Sequence, residues 1–222
     1  PRKKPKSDQN NVGIEPSKGI RKGIVTDISA ASECIARSIE KAERTSGFEI
    51  NSAIVNLAGT QVSSTISKGA VGISGRVIHQ EDVYRALESA QMIAVPHNRE
   101  VVHVIQRGFN VDGQEGIRQP VGMHAFGMEV EAHIITSAAS SMENLRQTIS
   151  VAGIEVSQFV LNPLASGESV LSETEREMGV AVIDLGEGTT RVAIYVKGDV
   201  FHASVLGIGG ELVTAEIAQG LG

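Results

Sequence analysis

One stretch constrains the fold of this chain more than any other, the sequence VAVIDLGEGTT at residues 180–190, followed directly by RVAIYV at residues 191–196. An apolar run ends on one carboxylate, Asp184, and a turn of glycines and threonines precedes a second strand pattern. Glycine lets the backbone bend close to an anion and present its N–H groups. Asp184 is a candidate to hold a hydrated divalent cation, and Thr189 and Thr190 supply hydroxyl donors. The pattern predicts a phosphate-binding turn, with an ordinary hairpin turn as the alternative.

The residues after this turn predict a three-stranded meander and a helix. A second turn after Val196 leads into a strand at residues 200–206, and the sequence GIGG at residues 207–210 opens a helical pattern at residues 211–221. Backbone N–H groups at a helix N-terminus favour anions, so these glycines form a second candidate phosphate contact. The alternative is that they only let a strand turn into a helix.

Composition restricts both the core and the partners. The 222 residues are 41% hydrophobic but include only five Phe, two Tyr and no Trp. The core is therefore expected to consist of Val, Ile, Leu and Ala, which suits stacked α/β layers in one large or two small domains. A net charge of −6 argues against nucleic-acid binding. The lone Cys34 excludes an internal disulfide and suits a reducing cytosol, and packing is its expected role. No apolar run is long enough to span a membrane or resembles a signal peptide.

Hydrophobic periodicity predicts the remaining elements. The first predicted helix is capped by Thr26 or Asp27 and carries Ile28, Ile35, Ile39 and Ala42 on one face. The second is marked by Val83, Leu87, Ala90 and Ala94 and ends at Pro96. A third is opened by a capping box at residues 140–143, and a fourth covers residues 165–171. The predicted strands are residues 50–57, an exposed strand from Val62, residues 101–111, 130–136 and 158–161. Residues 112–127 are predicted as a glycine-dense loop of functional length.

Several of these segments carry a resemblance to a known family. They are PSKGIRKG at residues 16–23, HVI at 103–105, VDGQEGI at 111–117, PVGM at 120–123, HIIT at 133–136, and residues 161–171 and 179–190. DLGEGTT resembles the second phosphate loop of the actin, Hsp70 and sugar-kinase ATPase superfamily. The whole set, in order from about Val12 onward, resembles the FtsA family of bacterial cell-division proteins. This resemblance implies an α/β fold of partial actin-like (ribonuclease H-like) ATPase lobes with a small inserted α/β subdomain.

The same resemblance implies how the chain is divided. The expected parts are a basic flexible arm at residues 1–11, a partial actin-like subdomain 1A at residues 12–60 and 138–178, an inserted SHS2-type subdomain 1C at residues 61–137, and the start of subdomain 2A with the phosphate loop at residues 179–222. The chain does not begin with Met and ends inside a helical pattern. We therefore expect a fragment that lacks the first phosphate loop and the adenosine-binding segment of the family.

The resemblance further implies ATP with Mg²⁺ as the ligand of the parent protein. The expected phosphate-site residues are Asp184 (metal, through water), Gly186, Gly188, Thr189, Thr190, Gly209 and Gly210. The chain departs from the family at Glu187, where Gly is usual, and at Arg191, where an acid is usual. Glu187 is expected to weaken phosphate binding unless it points away, and Arg191 either offsets that charge or points outward. Because the chain carries about one of two lobes that clamp the nucleotide, we expect weak or no ATP binding.

By resemblance, the parent is an assembly protein of the division ring, with ATP as a structural or switching ligand rather than a substrate that is turned over quickly. Whether it hydrolyses ATP is left open, and no catalytic residue is assigned. It is expected to polymerise at the inner face of the cell membrane, to link the FtsZ ring to the membrane through a segment absent here, and to contact other division proteins. Two alternatives remain: a pilus-assembly actin-like scaffold with the same inserted subdomain, and an active ATPase or kinase of the superfamily.

Other chemistry-bearing residues indicate no second site. The six histidines lack metal-ligand spacing and are interpreted as surface or strand residues; they are His79, His97, His103, His124, His133 and His202. Glu129 and Glu131 share one face of a predicted strand. Paired carboxylates can perform acid–base chemistry, but an exposed strand face is the preferred interpretation.

Overall fold

The computed structural model describes residues 12–221, so the predicted arm at residues 1–11 lies outside it. The helices are α1 (Ile28–Ser46), α2 (Gln80–Ala94), α3 (Ala139–Val151), α4 (Asn162–Val170), α5 (Glu173–Met178) and α6 (Gly210–Leu221). The strands are β1 (Ile20–Arg21), β2 (Ile24–Val25), β3 (Ser52–Leu57), β4 (Ser63–Val77), β5 (Arg99–Val111), β6 (Gln114–Ile117), β7 (His124–Ala138), β8 (Glu155–Leu161), β9 (Val180–Leu185), β10 (Thr190–Val196) and β11 (Asp199–Leu206). Among these described helices, none is both long and apolar enough to cross a membrane.

The middle of the chain forms a sheet of its own. Its strands lie in the order β4-β7-β5-β6, and each neighbouring pair is antiparallel. The predicted helix α2 packs against this sheet over an aliphatic core that includes Ile73, Ile78 and Val130. The approach is so close that a Cβ on Gly69 of β4 would lie 2.0 Å from the carbonyl oxygen of Ala86 in α2. Glycine in a strand permits this backbone-to-backbone contact.

An ion pair fixes the start of α2. The buried carboxylate of Asp82 accepts the N–H of His79 at 2.9 Å and two N–H groups of the Arg76 guanidinium at 2.7 Å each. These contacts, with Arg76 contributing most, hold the pKa of Asp82 well below its usual range. The acidic first turn of α2, which suits the positive end of the helix dipole, is thus tied to the end of β4.

The segments on either side of this sheet in the chain pack together. β3 and β8 form a parallel pair, and α1 lies beside α3. As predicted, Asp27 caps α1 by accepting the N–H of Ala30 at 3.0 Å, and Gly47 ends it with a left-handed φ of 75°. The predicted apolar face of α1 is only half-buried. Its fully buried residues are smaller: Ala31, Ser32 and Cys34.

The predicted meander after α5 is confirmed. β9, β10 and β11 are consecutive antiparallel strands in the order β11-β10-β9. Lys197 and Gly198 join β10 to β11 with φ values of 54° and 85°, the two positive values that a tight hairpin turn requires. α4 packs over the central strand, where Tyr195 is buried.

Two local predictions are wrong. The capping box at residues 140–143 does not cap a helix, because β7 runs directly into α3, whose N-cap is Ala138 and has no side-chain cap bond. Residues 112–127 are not one long loop, because they contain β6 and the start of β7. The Asp112 carboxylate accepts the N–H groups of Phe126 and Gly127 and so ties this segment into the sheet.

Candidate functional site

The predicted phosphate turn joins the ends of β9 and β10. In this antiparallel pair Leu185 lies opposite Thr190, and Asp184 lies opposite Arg191. The N–H of Gly186 donates to the carbonyl of Thr189 at 2.9 Å and closes the turn. The turn therefore has the geometry of a tight β-hairpin at the end of the first strand, and its remaining backbone faces the helix that follows the meander.

The start of α6 is bonded to this turn. The N–H of Gly210 donates to the carbonyl of Gly186 at 2.9 Å, and the N–H of Glu211 donates to the carbonyl of Glu187 at 2.8 Å. A Cβ on Gly209 would lie 2.3 Å from the Glu187 carbonyl oxygen, so no other residue fits there without movement. Two of the N–H groups at the helix N-terminus are thus already donated to the turn in this conformation.

A short hairpin brings a lysine to the other side of the turn. β1 and β2 are joined by Lys22 and Gly23, with φ values of 50° and 74°. The Lys22 ammonium donates to the carbonyl of Gly207 at 2.9 Å. A Cβ on Gly188 would lie 3.4 Å from Cγ of Lys22. The lysine stem therefore lies along the glycine of the turn, with its charge at the glycines before α6.

An opening of about 320 Å³ lies between this hairpin, the turn and the start of α6. Its lining is Arg21, Lys22, Glu187, Gly188, Gly207, Ile208, Gly209, Glu211, Leu212 and Ala215. Two cations and a rim of glycines are the chemistry that a phosphate chain needs. The carboxylates of Glu187 and Glu211 oppose an anion, and a divalent cation would offset their charge.

Asp184 lies in a separate cluster behind the turn. Its carboxylate accepts hydrogen bonds from the side-chain amide of Asn162 and, at 3.5 Å, from the hydroxyl of Ser166. The guanidinium of Arg191 forms an ion pair with it at 3.3 Å, and both side chains are largely covered. Arg191 thus points toward Asp184 rather than outward or toward Glu187, and it neutralises the carboxylate predicted to hold the metal.

The two threonines of the turn face inward. Thr189 is 2% exposed, and the hydroxyl of Thr190 donates to the carbonyl of Ile208 at 2.7 Å. In this conformation the Thr190 hydroxyl ties the turn to the residues before α6, and the Thr189 side chain is packed inside. Of the predicted phosphate-site residues, the structure brings Gly188 and Gly209 to the opening, packs Gly186 against Gly210, and keeps Asp184 and the threonines out of its lining.

Two residues of this site, Lys22 and Asn162, were not predicted from the sequence. Lys22 lies in the PSKGIRKG segment and, with Gly23, forms the two-residue turn between β1 and β2. Asn162 directly follows β8, whose last residue Leu161 is buried, and begins α4, next to Asp184. A polar residue directly after the apolar end of a strand was the available signal for Asn162, whereas the contact of Lys22 with Gly207 depends on tertiary structure.

His103, His133 and the paired carboxylates Glu129 and Glu131 have structural partners. Nε2 of His103 accepts the N–H of Leu161 at 2.9 Å, and Nδ1 of His133 lies 3.1 Å from the carbonyl oxygen of Val200. Burial lowers the pKa of both rings. Glu129 and Glu131 form ion pairs with Lys68 at 3.2 Å and Arg107 at 2.6 Å. Within residues 12–221, no group of three or more His, Cys, Asp or Glu is arranged to hold a metal ion.

Comparison with known proteins gives family matches for two regions of the chain. The family model described as "SHS2 domain inserted in FTSA" matches residues 59–136, and the model described as "Cell division protein FtsA" matches residues 181–222. The cell division protein FtsA of Borreliella burgdorferi is 43% identical over 210 residues, which cover 94% of this chain and 51% of that protein. The FtsA of Pseudomonas aeruginosa is 38% identical, over 95% of this chain and 50% of that protein.

A solved structure shows the same fold at low identity. A chain of a PilM-PilN type IV pilus biogenesis complex superposes with a TM-score of 0.61 at 15% identity, over 93% of this chain and 56% of that chain. This likeness concerns the fold alone. The present chain spans about half the length of the curated relatives it matches. With a match to the SHS2 domain inserted in FtsA, a match to the FtsA model and these relatives, the chain belongs to the FtsA family of cell division proteins.

Proposed function

We propose that this chain is part of an actin-like cell-division protein that polymerises at the inner face of the cell membrane and links the FtsZ ring to that membrane. The observation that carries the proposal is the presence, in one chain, of both FtsA-type regions: the inserted domain at residues 59–136 and the phosphate-turn region at residues 181–222. Self-association and contacts with other division proteins belong to the same proposal.

We also propose the division of the chain that the family implies. Residues 12–60 and 138–178 are assigned to subdomain 1A, residues 61–137 to the inserted subdomain 1C, and residues 179–222 to the start of subdomain 2A. Support comes from the sheets, since the antiparallel sheet of β4–β7 and the meander of β9–β11 are separate from the β3–β8 pair.

The proposed ligand is ATP with Mg²⁺, with its phosphates at the opening beside the turn. Lys22 is placed to donate to a phosphate oxygen by exchanging its present acceptor, the Gly207 carbonyl. Gly188 and Gly209 allow close approach of a phosphate chain, and Thr189 and Thr190 hold the turn in shape. When bound, Mg²⁺ would supply charge neutralisation between the phosphates and the carboxylates of Glu187 and Glu211 at the opening. Asp184, behind the turn, would hold the cation through water. ATP acts here as an assembly ligand, and no catalytic group is assigned.

A chimera tests the cellular role. This chain replaces the matching half of the Bacillus subtilis FtsA, which is 38% identical over 212 residues, and the relative supplies the remainder. We expect the chimera to restore division in cells depleted of the relative and to sediment with FtsZ on lipid vesicles. A stable, folded chimera that does neither refutes the proposal, and phosphorylation of a small-molecule acceptor would instead identify a kinase.

Lys22 tests the nucleotide site in the same chimera. Removing a charged hydrogen-bond donor costs about 1.5–3 kcal/mol, so we expect Lys22→Ala to weaken ATP binding by about tenfold or more in calorimetry. Lys18→Ala is the matched control, because Lys18 is an exposed lysine in the same segment. Equal affinities of the two variants would show that the opening does not hold the phosphates.

A further inference from the structure

A histidine of the four-stranded sheet β4-β7-β5-β6, called the inserted sheet from here on, reaches the region behind the predicted phosphate turn. His103 lies on β5, and its Nε2 accepts the backbone N–H of Leu161 at 2.9 Å. An imidazole nitrogen that accepts a hydrogen bond carries no proton, so the ring is neutral with its proton on Nδ1. Burial lowers the pKa of His103 and agrees with this state. The ring is therefore a hydrogen-bond acceptor directed at another element of the fold.

Leu161 occupies a junction where its N–H has an uncommon role. It is the last residue of β8 and the N-cap of α4, it is fully buried, and it offers no side-chain cap bond. A buried N–H without a partner is costly. The His103 ring supplies that partner, so it fixes the backbone where the strand turns into the helix.

The next residue carries this placement to Asp184. Asn162 begins α4, and its side-chain amide donates to the Asp184 carboxylate. Its amide oxygen accepts from the side chain of Asn56 on β3. Since both ends of the Asn162 amide are engaged, a shift of the α4 start would change its contact with Asp184. The chain of contacts runs from β5 through the β8–α4 junction to the end of β9.

We propose that His103 is a positioning residue that couples the inserted sheet to the phosphate site, by holding the Leu161 N–H so that Asn162 orients Asp184. This coupling rests on the proposed nucleotide site for its purpose, but the contacts themselves need no nucleotide. Movement of the inserted sheet, such as that imposed by a neighbouring molecule, would then be felt at Asp184. Occupancy at Asp184 would be felt by the sheet in return, because coupling between two sites is reciprocal.

Nuclear magnetic resonance on the chain itself tests the proposal without nucleotide. The long-range ¹⁵N spectrum of the His103 ring is expected to show Nδ1 protonated and Nε2 unprotonated. In His103→Leu, the Leu161 amide is expected to exchange with solvent about tenfold faster or more. The side-chain amide signals of Asn162 and the guanidinium signals of Arg191 are expected to move in the same variant. His103→Gln, which can present an acceptor oxygen at a similar place, is expected to restore both readouts.

His124→Leu is the matched control, because His124 is an exposed histidine on β7 of the same sheet. It should leave the Leu161, Asn162 and Arg191 signals unchanged. The proposal is overturned if His103→Leu speeds Leu161 exchange but leaves Asn162 and Arg191 unmoved, because His103 would then serve only local structure. If His103→Leu does not fold, a wild-type ring protonated on Nε2 overturns it equally. Failure of the chimera to bind ATP would refute the nucleotide site while leaving these signals intact.

Discussion

Gly209 offers the sharpest test of how the predicted phosphate turn is built. A Cβ at this position would lie 2.3 Å from the Glu187 carbonyl oxygen and 2.5 Å from the Gly186 carbonyl oxygen. Both atoms are backbone, so no flexible side chain can move aside. Gly209→Ala must therefore separate the turn from the start of α6 and lengthen the bonds from Gly210 to Gly186 and from Glu211 to Glu187.

The expected size of the effect follows from those contacts. Two backbone hydrogen bonds contribute about 0.5–1.5 kcal/mol each, and an inserted methyl in a packed site costs about 1–3 kcal/mol. A local loss of at least about 2 kcal/mol corresponds to about a thirtyfold fall in protection from hydrogen exchange. Because the described residues of α6 are largely exposed, the loss is expected at this junction rather than across the whole fold.

Amide hydrogen exchange at Gly210 and Glu211 measures this loss directly. Gly210→Ala is the matched control: its Cβ would lie 3.8 Å from the Gly186 carbonyl oxygen, an ordinary contact. We expect Gly210→Ala to keep the protection of the Glu211 amide and Gly209→Ala to lose it. Equal protection of Glu211 in the two variants would refute the view that close backbone contact holds the turn against the helix.

Three further predictions concern the rest of the chain. Gly69→Ala should lower the free energy of unfolding by about 3 kcal/mol in urea titrations, because its Cβ would meet the α2 backbone. Gly72→Ala is the control: its Cβ would have nothing within 4 Å, so it should cost under about 1 kcal/mol. Equal losses in the two variants would contradict the close contact between β4 and α2. Asp82→Asn should lower the free energy of unfolding at pH 7, and its difference from the wild type should shrink as the pH falls below about 4. The reason is that a carboxylate whose pKa is lowered in the folded state stabilises the fold only above its unfolded-state pKa. A loss that does not depend on pH would exclude the Arg76 ion pair as its cause. Calorimetry of this chain alone should detect weak or no ATP binding, and micromolar affinity would contradict the two-lobe argument.

Local rules predicted much of the fold because the relevant signals lie close together in sequence. Asp27 and Gly47 bracket α1 as cap residues should, and the apolar alternation after Val180 yields β9 and β10. The prediction of a capping box at residues 140–143 was wrong because of strand pairing elsewhere in the fold. β7 pairs with β5 as far as Ala138, so the helix begins before Ser140 and its cap chemistry is not used.

The site was less predictable because its contacts cross the chain. The spacing of glycines located the turn, but nothing local to the turn indicated that Lys22 would reach Gly207 or that Asn162 would bond to Asp184. The roles of Thr189 and Thr190 also depend on packing, since the first is buried and the second bonds to Ile208. A motif specifies which groups are present, and the surrounding elements decide which of them face outward.

The ion pair between Asp184 and Arg191 shows what Arg191, at a position where an acid is usual in the family, does in this chain. A partly exposed pair at 3.3 Å contributes at most about 1 kcal/mol to stability, so it does not by itself prevent Asp184 from turning to a hydrated cation. The cost lies with Arg191, whose Nε is buried without a hydrogen-bond partner. If Asp184 turned away, Arg191 would keep its charge in a covered place with one acceptor fewer. A cation at Asp184, as proposed above, would therefore have to compete with Arg191, and an acid at position 191 would remove that competition.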